Sequence, residues 1–530
     1  MAAIEHGDLR DADSGVELSE IVASIALAAD LGLGQPLDHV LRSCIIATRF
    51  ARHLGASDEE RDATYWTTLF MTAGCTGSSF ELSQVFGDDI AFRAGIFWVT
   101  PTPINVLRYM LGRAGSHQGA IARAKSRADL LRTKLSAVEQ ALIAHCHVSA
   151  RLAERLGLGD QVVNSLLQTF ERWDGKGFPG GLGGDDILLP IRVTHIANIA
   201  TAYARERGVE AAIECVRPLS GKDFDPNLCE AWGLAASEIL AGTDEESSWD
   251  RVVAGQPAGR GPLTEGELDD ALELIADYAD LKSPWLIGHS RGVASLAVAA
   301  ARATGMSTSD VVSLRRAALV HDIGRNGVPN SIWDKPGLLT EGEMERVRLH
   351  AYYTDRVLHR AGRLAMLASV ASAAHEQASG GGYPRGISGA TIPLLGRFLE
   401  AADSYHAMLE DRPHRSALTA DDAAAELRRG VRAGAYDGGA VDAVLAAAGH
   451  APRRRPSAPA GLSPREIEVL VLASRGGTTR AVARKLGIAP KTAGNHLERI
   501  YSKIGVSTRA EAAMFAMQYG LLPSWETDQL

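Results

Sequence analysis

The sequence contains few residues that could cross-link the chain or carry it across a membrane. Its 530 residues include five cysteines, an odd number with no CxxC spacing, so neither a disulfide framework nor a zinc ribbon is expected. Every apolar run is well short of the roughly 18–20 residues that cross a bilayer. The segment from Met1 to Val16 is acidic and polar rather than a signal sequence. We therefore expect reduced, mostly buried thiols and a cytoplasmic protein with no membrane contact.

Aromatic residues are also scarce, at 6% of the chain, whereas Ala, Leu, Arg and Glu are abundant. This composition favours helices over strands. With 46% hydrophobic and 22% charged residues the chain can bury sizeable cores. Its length is typical of two to four domains. An all-α fold is predicted.

Positive charge is concentrated near the C-terminus. The formal net charge is −9, but twelve Lys and Arg against four Glu between Arg453 and Glu511 give that stretch about +8 and leave about −17 elsewhere. A small basic module on an acidic body predicts that the C-terminal region alone binds nucleic acid.

Two parts of the chain repeat each other. The Gly- and Pro-rich loop Glu171–Gly181 is similar to Glu376–Pro384, and Phe178-Pro179 matches Tyr383-Pro384 at an offset of 205. Further pairs are His145 with His350 and Arg192 with Arg397 at the same offset, and His39 with His289, Asp30 with Asp280 and Gly74 with Gly324 at an offset of 250. The change of offset predicts two tandem helical domains, the first with an insertion of about 45 residues between Ser79 and Leu135.

Breaks in composition set the predicted boundaries. The first copy is assigned to residues 1–245 and the second to 263–450, joined by the polar stretch Gly242–Pro262. Residues 451–461 are a Pro- and Arg-rich linker with little capacity to fold, and a small helical module occupies 462–523. In the first copy, the helical spacing from Leu18 to Leu54 is expected to break at Asp30-Leu31-Gly32.

The pair His321-Asp322 offers a metal one nitrogen and one carboxylate. The second copy contains further possible ligands: His289, His350, His375 and Asp403. Mixed nitrogen and oxygen ligation suits iron, manganese or a similar divalent cation. Asp322 could bridge two ions, with His350 and His375 serving the second. The set predicts one or two metal ions and the chemistry of phosphodiester hydrolysis.

Four motifs of the second copy occur in the order typical of HD-GYP phosphohydrolases. They are His321-Asp322-Ile323-Gly324, Lys335-Pro336-Gly337-Leu338-Leu339-Thr340, Gly382-Tyr383-Pro384 and Asp411-Arg412-Pro413. The region from Glu267 to Thr419 resembles this branch of the HD superfamily, which hydrolyses cyclic di-GMP at a two- or three-metal site. The resemblance implies one metal ion held by His289, His321, Asp322 and Asp403, and another held by Asp322, His350 and His375. It also implies catalytic roles for Asp322 and Arg325, and substrate contacts by Arg325, Gly382, Tyr383 and Pro384.

The second copy departs from the HD-GYP pattern at four positions. Ala374 replaces the first of two adjacent histidines, which removes a ligand of the second metal. Arg325 replaces a lysine; it can contact a phosphate but remains charged. Ser379 replaces an acid before the glycines, and Trp285 replaces a glutamate that supports a third metal. These departures predict a one-metal or weak two-metal site. The other histidines are interpreted as surface or packing residues: His359, His406 and His414.

The first copy lacks most of these ligands. Met71-Thr72 stand at the position of the His-Asp pair, Phe170 replaces the second-site histidine, and Asn198 replaces the distant aspartate. His39 and His145 remain, which is too few for this kind of site. The first copy is therefore interpreted as degenerate, with a role in dimerisation, packing or ligand sensing. With these resemblances, the fold class is two tandem HD-type helical domains plus a small four-helix module.

The C-terminal module begins with strong helix signals. Ser463 precedes Pro464, and Glu466 three residues later completes a capping box. Two helices, Thr479–Leu486 and Pro490–Ile504, follow with a short glycine-containing turn between them. This is the helix-turn-helix arrangement.

Polar side chains that can read a DNA major groove share one face of the second of these helices. They are Lys491, Thr492, Asn495 and Arg499, opposite the apolar Ala493, Leu497, Ile500 and Ile504. The module resembles the LuxR-type DNA-binding domain in Leu462-Ser463-Pro464-Arg465-Glu466, Val482-Ala483, Lys491-Thr492, Asn495-His496, Ile500-Tyr501-Ser502-Lys503-Ile504 and Arg509-Ala510-Glu511-Ala512. Ala489-Pro490 departs from it, because the family favours a serine N-cap there. The resemblance implies contacts to double-stranded DNA by Lys491, Thr492, Asn495, His496, Arg499 and Lys503, and a homodimer formed through Ala510–Tyr519.

Two functions remain open from the sequence. One is a transcriptional regulator whose helical body senses, or both senses and hydrolyses, a cyclic dinucleotide or another phosphorylated small molecule. The other is a metal-dependent phosphodiesterase that is tethered to DNA. Ala374, Arg325 and Ser379 favour the regulator, whereas the retained ligands favour the enzyme. An interaction scaffold without a ligand is a weaker third hypothesis.

Overall fold

The all-α prediction is confirmed for the part of the chain that the structure describes. The computed structural model describes residues 15–99, 103–115, 119–132, 136–243, 247–449 and 459–522. Within these ranges, extended pairing is limited to isolated β-bridges. Most of the predicted linker, residues 451–458, and residue 523 lie outside the described residues. No helix within the described ranges is both long and apolar enough to span a membrane. All five cysteines are free thiols, and four of them are buried.

The first half of the chain forms fourteen α-helices within the described ranges. They are α1 (Leu18–Leu33), α2 (His39–His53), α3 (Asp58–Phe70), α4 (Gly74–Gly77), α5 (Ser79–Phe86), α6 (Asp89–Ile96), α7 (Pro103–Arg113), α8 (Ala120–Arg132), α9 (Ser136–Arg155), α10 (Asp160–Leu167), α11 (Leu189–Arg207), α12 (Val209–Glu214), α13 (Pro226–Leu240) and α14 (Ser248–Ala254). Helices α5–α8 occupy the predicted insertion.

The expected break at Asp30-Leu31-Gly32 is wrong, because α1 continues through these residues. It ends one residue later, at Leu33, and is capped by Gly34, whose left-handed conformation (φ 64°) satisfies the end of the helix. The Asp30 carboxylate accepts hydrogen bonds from the backbone N–H groups of Asp38 (2.9 Å) and Val40 (3.2 Å). Asp30 therefore anchors the start of α2 from within α1.

The second half, up to residue 449, forms nine α-helices. They are α15 (Glu265–Asp280), α16 (His289–Ala303), α17 (Thr308–Val320), α18 (Asn330–Trp333), α19 (Glu341–Leu358), α20 (Ala365–Ala371), α21 (Leu394–Met408), α22 (Ala420–Arg432) and α23 (Gly438–Ala447). A 3₁₀ turn, Ile323–Gly327, follows α17. Helix α16 is central and packs against α17, α21 and α23.

The C-terminal module contains four helices: α24 (Pro464–Ser474), α25 (Thr479–Lys485), α26 (Pro490–Ile504) and α27 (Arg509–Gln518). The predicted capping box is confirmed, since Ser463 and Glu466 bond reciprocally at the start of α24. Ala489 provides no side-chain cap to α26, as the replacement of serine predicts.

The stretch between the two halves is more ordered than its Gly and Pro content suggests. It contains α14, whose Trp249 and Val252 are buried against the first half. The polar stretch Gly242–Pro262 therefore includes a packed helix, which its Gly and Pro content did not indicate. Burial of the two apolar side chains removes apolar surface from water, and this stabilises the helix relative to a solvated loop.

The C-terminal module packs against the body of the molecule. Arg509 forms an ion pair with Glu81 (2.6 Å), and Arg151 donates to the Gly505 carbonyl (2.8 Å). Glu511 lies 3.3 Å from His147 of α9. The hydrophobic core is continuous from α1 to α27. The module is therefore placed against the body by both apolar and charged contacts.

Candidate metal centre

The predicted metal ligands come from separate elements that converge on α16 and α17. His289 begins α16, His321 caps the C-terminus of α17, and Asp322 leads into the 3₁₀ turn. The others are His350 on α19, His375 after α20 and Asp403 on α21. Gly324 makes this convergence possible, because a Cβ at this position would collide with the His350 carbonyl oxygen.

The first cluster is completely enclosed. His289, His321, Asp322 and Asp403 each offer a ligand atom, and these atoms lie within 4.8 Å of one another. The His289 Nε2 atom is 3.0 Å from Asp403 Oδ1 and 3.5 Å from Asp322 Oδ2. The His321 Nε2 atom is 2.9 Å from Asp322 Oδ2. The structure thus brings together the four residues predicted to hold one ion.

The second cluster shares Asp322 and is smaller. His350 Nε2 lies 2.7 Å from His375 Nε2 and 3.4 Å from Asp322 Oδ1. His375 Nε2 lies 4.0 Å from the same oxygen. Ala374, at the position of the missing histidine, is buried and offers no ligand. The geometry brings the predicted second set together with three donors.

The donor set fits a divalent cation. His321 Nε2 and both carboxylate oxygens of Asp322 are buried and make close ionic contacts without a hydrogen bond of acceptable geometry. Buried polar atoms are nearly always hydrogen-bonded, so such atoms indicate a site for an ion. Imidazole and carboxylate donors together suit iron or manganese.

The electrostatics of the pair agree with this chemistry. Burial opposes ionisation of Asp322, but the positive charges of Arg325 and His321 outweigh it and hold the pKa of Asp322 well below its usual range. Burial likewise opposes protonation of His321, but the negative charge of Asp322 outweighs it and raises the pKa of His321 to about 10. A cation that binds this site therefore meets an ionised carboxylate and displaces a proton from imidazole.

The predicted substrate contacts lie at the edge of the clusters. Arg325 NH2 is 2.6 Å from Asp322 Oδ2, and the guanidinium lies over the Trp333 ring at 5.4 Å. The Tyr383 ring stacks on His375, with centroids 5.0 Å apart and planes inclined by 18°. Gly382 and Pro384 flank Tyr383 in a loop held by Glu376. The Glu376 carboxylate accepts hydrogen bonds from the backbone N–H groups of Arg385 (2.8 Å) and Ile387 (3.0 Å).

Sequence reasoning missed one residue at the centre, Glu410, which lies beside His406. Glu410 Oε2 lies 2.9 Å from His289 Nδ1, and Glu410 Oε1 lies 3.2 Å from His406 Nδ1. His406 is buried, which agrees with its interpretation as a packing residue. The position of Glu410 directly before Asp411-Arg412-Pro413 was the only available signal.

In the first half, the two histidines at the predicted ligand positions contact an amide and a phenyl ring. His39 Nε2 is 2.9 Å from Asn198 Oδ1, and the rings of His145 and Phe170 are 4.9 Å apart. Among the described residues, every group of three or more potential ligands lies between His289 and Glu410.

Most of the predicted DNA-contacting side chains are accessible on α26. Lys491, Thr492, Asn495 and Arg499 are exposed, and His496 is partly buried. Lys503 is exposed, but its ammonium group pairs with Glu466 Oε2 at 2.7 Å. The face predicted to read the major groove is therefore open to solvent, with Lys503 engaged inside the module.

Comparisons with known proteins agree with these two parts. The family model described as HD domain matches residues 273–439, and the one described as bacterial regulatory proteins, luxR family, matches residues 460–516. The 3'3'-cGAMP-specific phosphodiesterase 3 of Vibrio cholerae is 32% identical over 412 residues, which are 77% of this chain and 90% of the relative. A cyclic di-GMP phosphodiesterase of Thermotoga maritima is 34% identical over 163 residues, 30% of this chain and 44% of the relative.

A solved structure extends the likeness to the fold. The crystal structure of the cyclic GMP-AMP-specific phosphodiesterase V-cGAP3 of V. cholerae has a TM-score of 0.58 and 28% sequence identity. It covers 83% of this chain and 99% of that chain. The chain therefore belongs to the HD-domain family of phosphodiesterases of the HD-GYP and V-cGAP3 type, with a LuxR-family helix-turn-helix domain at its C-terminus.

Proposed function

We propose that this protein is a transcriptional regulator whose HD domain binds and hydrolyses a 3'3'-linked cyclic dinucleotide in a metal-dependent reaction. The observation that carries the proposal is the buried cluster of His289, His321, Asp322 and Asp403. Removing so many ionisable groups from water is costly unless a ligand or a counter-ion compensates for it. The same chain presents an exposed helix-turn-helix face.

The residues of the centre have distinct roles in this proposal. A bound divalent cation would lower the pKa of a bound water and neutralise charge on a phosphodiester. His289, His321, Asp322 and Asp403 would hold one ion, and Asp322, His350 and His375 a second. Arg325, whose charge lies beside Asp322, would contact a substrate phosphate. Tyr383, stacked on His375, would border the substrate with its ring, beside Gly382 and Pro384.

The substrate class comes from the relatives. The names of the relatives specify 3'3'-cGAMP for the V. cholerae protein, which aligns over most of its length, and cyclic di-GMP for the Thermotoga protein. Both compounds share a ring with two phosphodiesters and purine bases. We therefore propose a 3'3'-linked purine dinucleotide, with 3'3'-cGAMP as the first to be tested.

We further propose that the first half, residues 1–245, is a degenerate second copy of the HD fold that occupies 263–450. Paired contacts support this. Asp30 accepts from the backbone N–H of Val40 as Asp280 accepts from that of Ser290, 250 positions later. The Glu171 carboxylate accepts hydrogen bonds from the backbone N–H groups of Gly180 (2.5 Å) and Leu182 (2.9 Å) in the first Gly-rich loop. Glu376, 205 positions later, holds the second loop in the same way. The role proposed for this copy is to brace the second copy.

The output proposed for the protein is binding to double-stranded DNA in the cytoplasm as a homodimer. The exposed side chains of Lys491, Thr492, Asn495 and Arg499 suit base edges and phosphates, with His496 and Lys503 beside them. An alternative function is a phosphodiesterase tethered to DNA, and retention of all six predicted ligands favours it.

The test uses the purified full chain loaded with Mn²⁺. We expect hydrolysis of 3'3'-cGAMP or cyclic di-GMP, and its loss in Asp322→Ala. If the wild-type chain binds the nucleotide without hydrolysing it, and Asp322→Ala binds it equally well, the proposed hydrolase activity is contradicted. We expect Arg499→Ala to weaken binding to promoter fragments selected from a genomic library. If the wild-type chain hydrolyses the nucleotide but neither it nor Arg499→Ala binds DNA, the proposed regulatory function is wrong.

A further inference from the structure

We infer that Glu410 is a positioning residue that fixes the metal ligand His289 so that its Nε2 atom faces the metal centre. The inference rests on the metal centre proposed above and adds a residue that the HD motifs did not include. The geometry that supports it is a carboxylate, an imidazole and a ligand cluster arranged in series.

The two ring nitrogens of His289 have different partners. Nδ1 lies 2.9 Å from Glu410 Oε2, whereas Nε2 lies 3.0 Å from Asp403 Oδ1, inside the first cluster. A proton on Nδ1 can be donated only to Glu410, which leaves the Nε2 lone pair for a cation. Metal-bound histidines commonly donate their other ring N–H to a carboxylate, and this contact sets both tautomer and ring orientation.

The carboxylate of Glu410 is itself held firmly. Arg412 NH2 lies 2.6 Å from Glu410 Oε2, and Arg412 NH1 donates to the Trp285 carbonyl at 3.1 Å. His406 approaches the other oxygen, Oε1, at 3.2 Å. These contacts restrict Glu410 on a segment that follows α21 and bring it to His289 from the side opposite Asp403.

His289, His406 and Glu410 are close enough to raise the alternative of a separate metal site. Two observations favour a hydrogen bond instead. The oxygen that faces His289 already pairs with the Arg412 guanidinium, which would repel a second cation. The Nε2 edge of His406 abuts Gly292, where a Cβ would collide with it, so this nitrogen is packed against α16. Glu410 therefore acts through His289.

The experiment measures Mn²⁺ affinity of the full chain by competition with a fluorescent chelator. We expect Glu410→Gln to weaken Mn²⁺ binding about tenfold or more, because the loss of such a partner commonly costs 10–100-fold. Glu410→Asp keeps the charge on a shorter side chain, so its Mn²⁺ affinity should lie between those of wild type and Glu410→Gln. It also tests the inference if the glutamine variant does not fold. The matched control is Asp411→Asn, since the Asp411 side chain is exposed and accepts a hydrogen bond from the Ala417 N–H at 2.9 Å.

A second measurement separates positioning from general destabilisation. In full chain labelled with ¹⁵N-histidine and loaded with Zn²⁺, we expect His289, assigned with His289→Gln, to carry its proton on Nδ1 and to bind the metal through Nε2. Coordination through Nδ1, or an unchanged Mn²⁺ affinity in folded Glu410→Gln and Glu410→Asp, would overturn the inference. Absence of Mn²⁺ binding in the wild-type chain would instead overturn the metal centre, and the inference with it.

Discussion

Asp322 is the residue at which the charges of the centre meet. Its carboxylate lies within 3.5 Å of four cationic or imidazole groups, on His289, His321, Arg325 and His350. The sequence identified this aspartate from the His-Asp pair and the motifs around it. It did not reveal that the guanidinium of Arg325 contacts a ligand oxygen directly, because the direction of a long side chain depends on packing against Trp333.

This contact leads to a prediction for Arg325→Met. The guanidinium places a positive charge beside a carboxylate that would hold a cation, and like charges repel at this distance. We expect Arg325→Met to bind Mn²⁺ several-fold more tightly than wild type while losing affinity for the cyclic dinucleotide. Titration calorimetry measures both. Arg325→Lys keeps the charge and is the control; a methionine variant with weaker Mn²⁺ binding would contradict the expectation.

Glu400 provides a pH dependence at the same scale. It is buried on α21, and this burial, together with the charges of Asp403, Asp437 and Glu376, raises its pKa to about 9. Below the ordinary pKa of 4.5 the folded and unfolded chains are both protonated at this residue. Between about 4.5 and 9 only the folded chain keeps the proton, so this contribution to stability falls as the pH rises.

We therefore expect Glu400→Gln to be more stable than wild type at pH 8, with a smaller difference at pH 6. The difference should grow by at most about 1.4 kcal/mol per pH unit. Urea unfolding at pH 6, 7 and 8 measures it, and Glu498→Gln, at an exposed position of α26, is the control. A difference independent of pH would show that Glu400 is ionised in the folded chain.

At the scale of elements, the 3₁₀ turn after α17 packs directly on α19. Gly324 approaches the backbone of α19 at His350, and the Gly324 N–H donates to Thr354 Oγ1 at 3.1 Å. This contact sets the distance between the His-Asp pair and His350. The sequence contained the glycine, and only the packed helices explain why no side chain fits there.

Gly324→Ala is expected to separate the two elements. The added methyl group would strike the His350 carbonyl oxygen, and overpacking of this kind costs about 1–3 kcal/mol. We expect a lower unfolding temperature and weaker binding of a second Mn²⁺ ion. Calorimetry and metal titration measure these, and Gly337→Ala, where a Cβ meets nothing within 4 Å, is the control. Unchanged behaviour of both variants would refute this account of Gly324.

At the scale of the whole molecule, a buried ion cluster joins the two halves. Lys282, fully buried between α15 and α16, lies 3.0 Å from Asp89 of α6, which also pairs with Arg93 at 2.8 Å. Burial opposes ionisation of Asp89, but the charges of Lys282 and Arg93 outweigh it and lower the pKa of Asp89. The predicted insertion of the first half thus contacts the second half through buried charges.

Asp89→Asn should strongly destabilise this junction. It leaves two buried cations without a carboxylate, and breaking a buried pair in this way costs about 3–5 kcal/mol. Adding Lys282→Met removes one of those cations, so the double variant should recover part of the loss. Chemical unfolding of the three proteins tests this. A double variant less stable than Asp89→Asn would contradict the pairing.

Docking of the DNA-binding module is also expected to respond to charge. Glu81→Lys reverses the charge of the side chain that pairs with Arg509. The Arg509 guanidinium also lies over the Phe80 ring at 4.5 Å. We expect faster amide exchange in α9 and α27 because the module then detaches more often from the body. Hydrogen exchange with mass spectrometry measures this, with Glu498→Lys on the exposed face of α26 as control. Equal exchange in the two variants would mean that the apolar contacts alone fix the module.

The sequence alone determined the class of the fold, the helix-turn-helix module and the six candidate metal ligands. These follow from local signals: helical spacing, the capping box at Ser463, and motifs whose residues are close together in the chain. The prediction failed where a local break signal competed with packing, as at Asp30 in α1. Burial of apolar side chains and a distant hydrogen bond outweighed the local preference there.

Only the tertiary structure decided which charges support the metal centre and which ones join the two halves. Glu410 reaches His289 across 121 positions of the chain, and Lys282 reaches Asp89 across 193. No spacing rule predicts such pairs, because they depend on how whole helices pack and on which buried charge lacks a partner. The ligands could be identified in the sequence since their chemistry restricts residue type, whereas their supporting contacts are set by geometry alone.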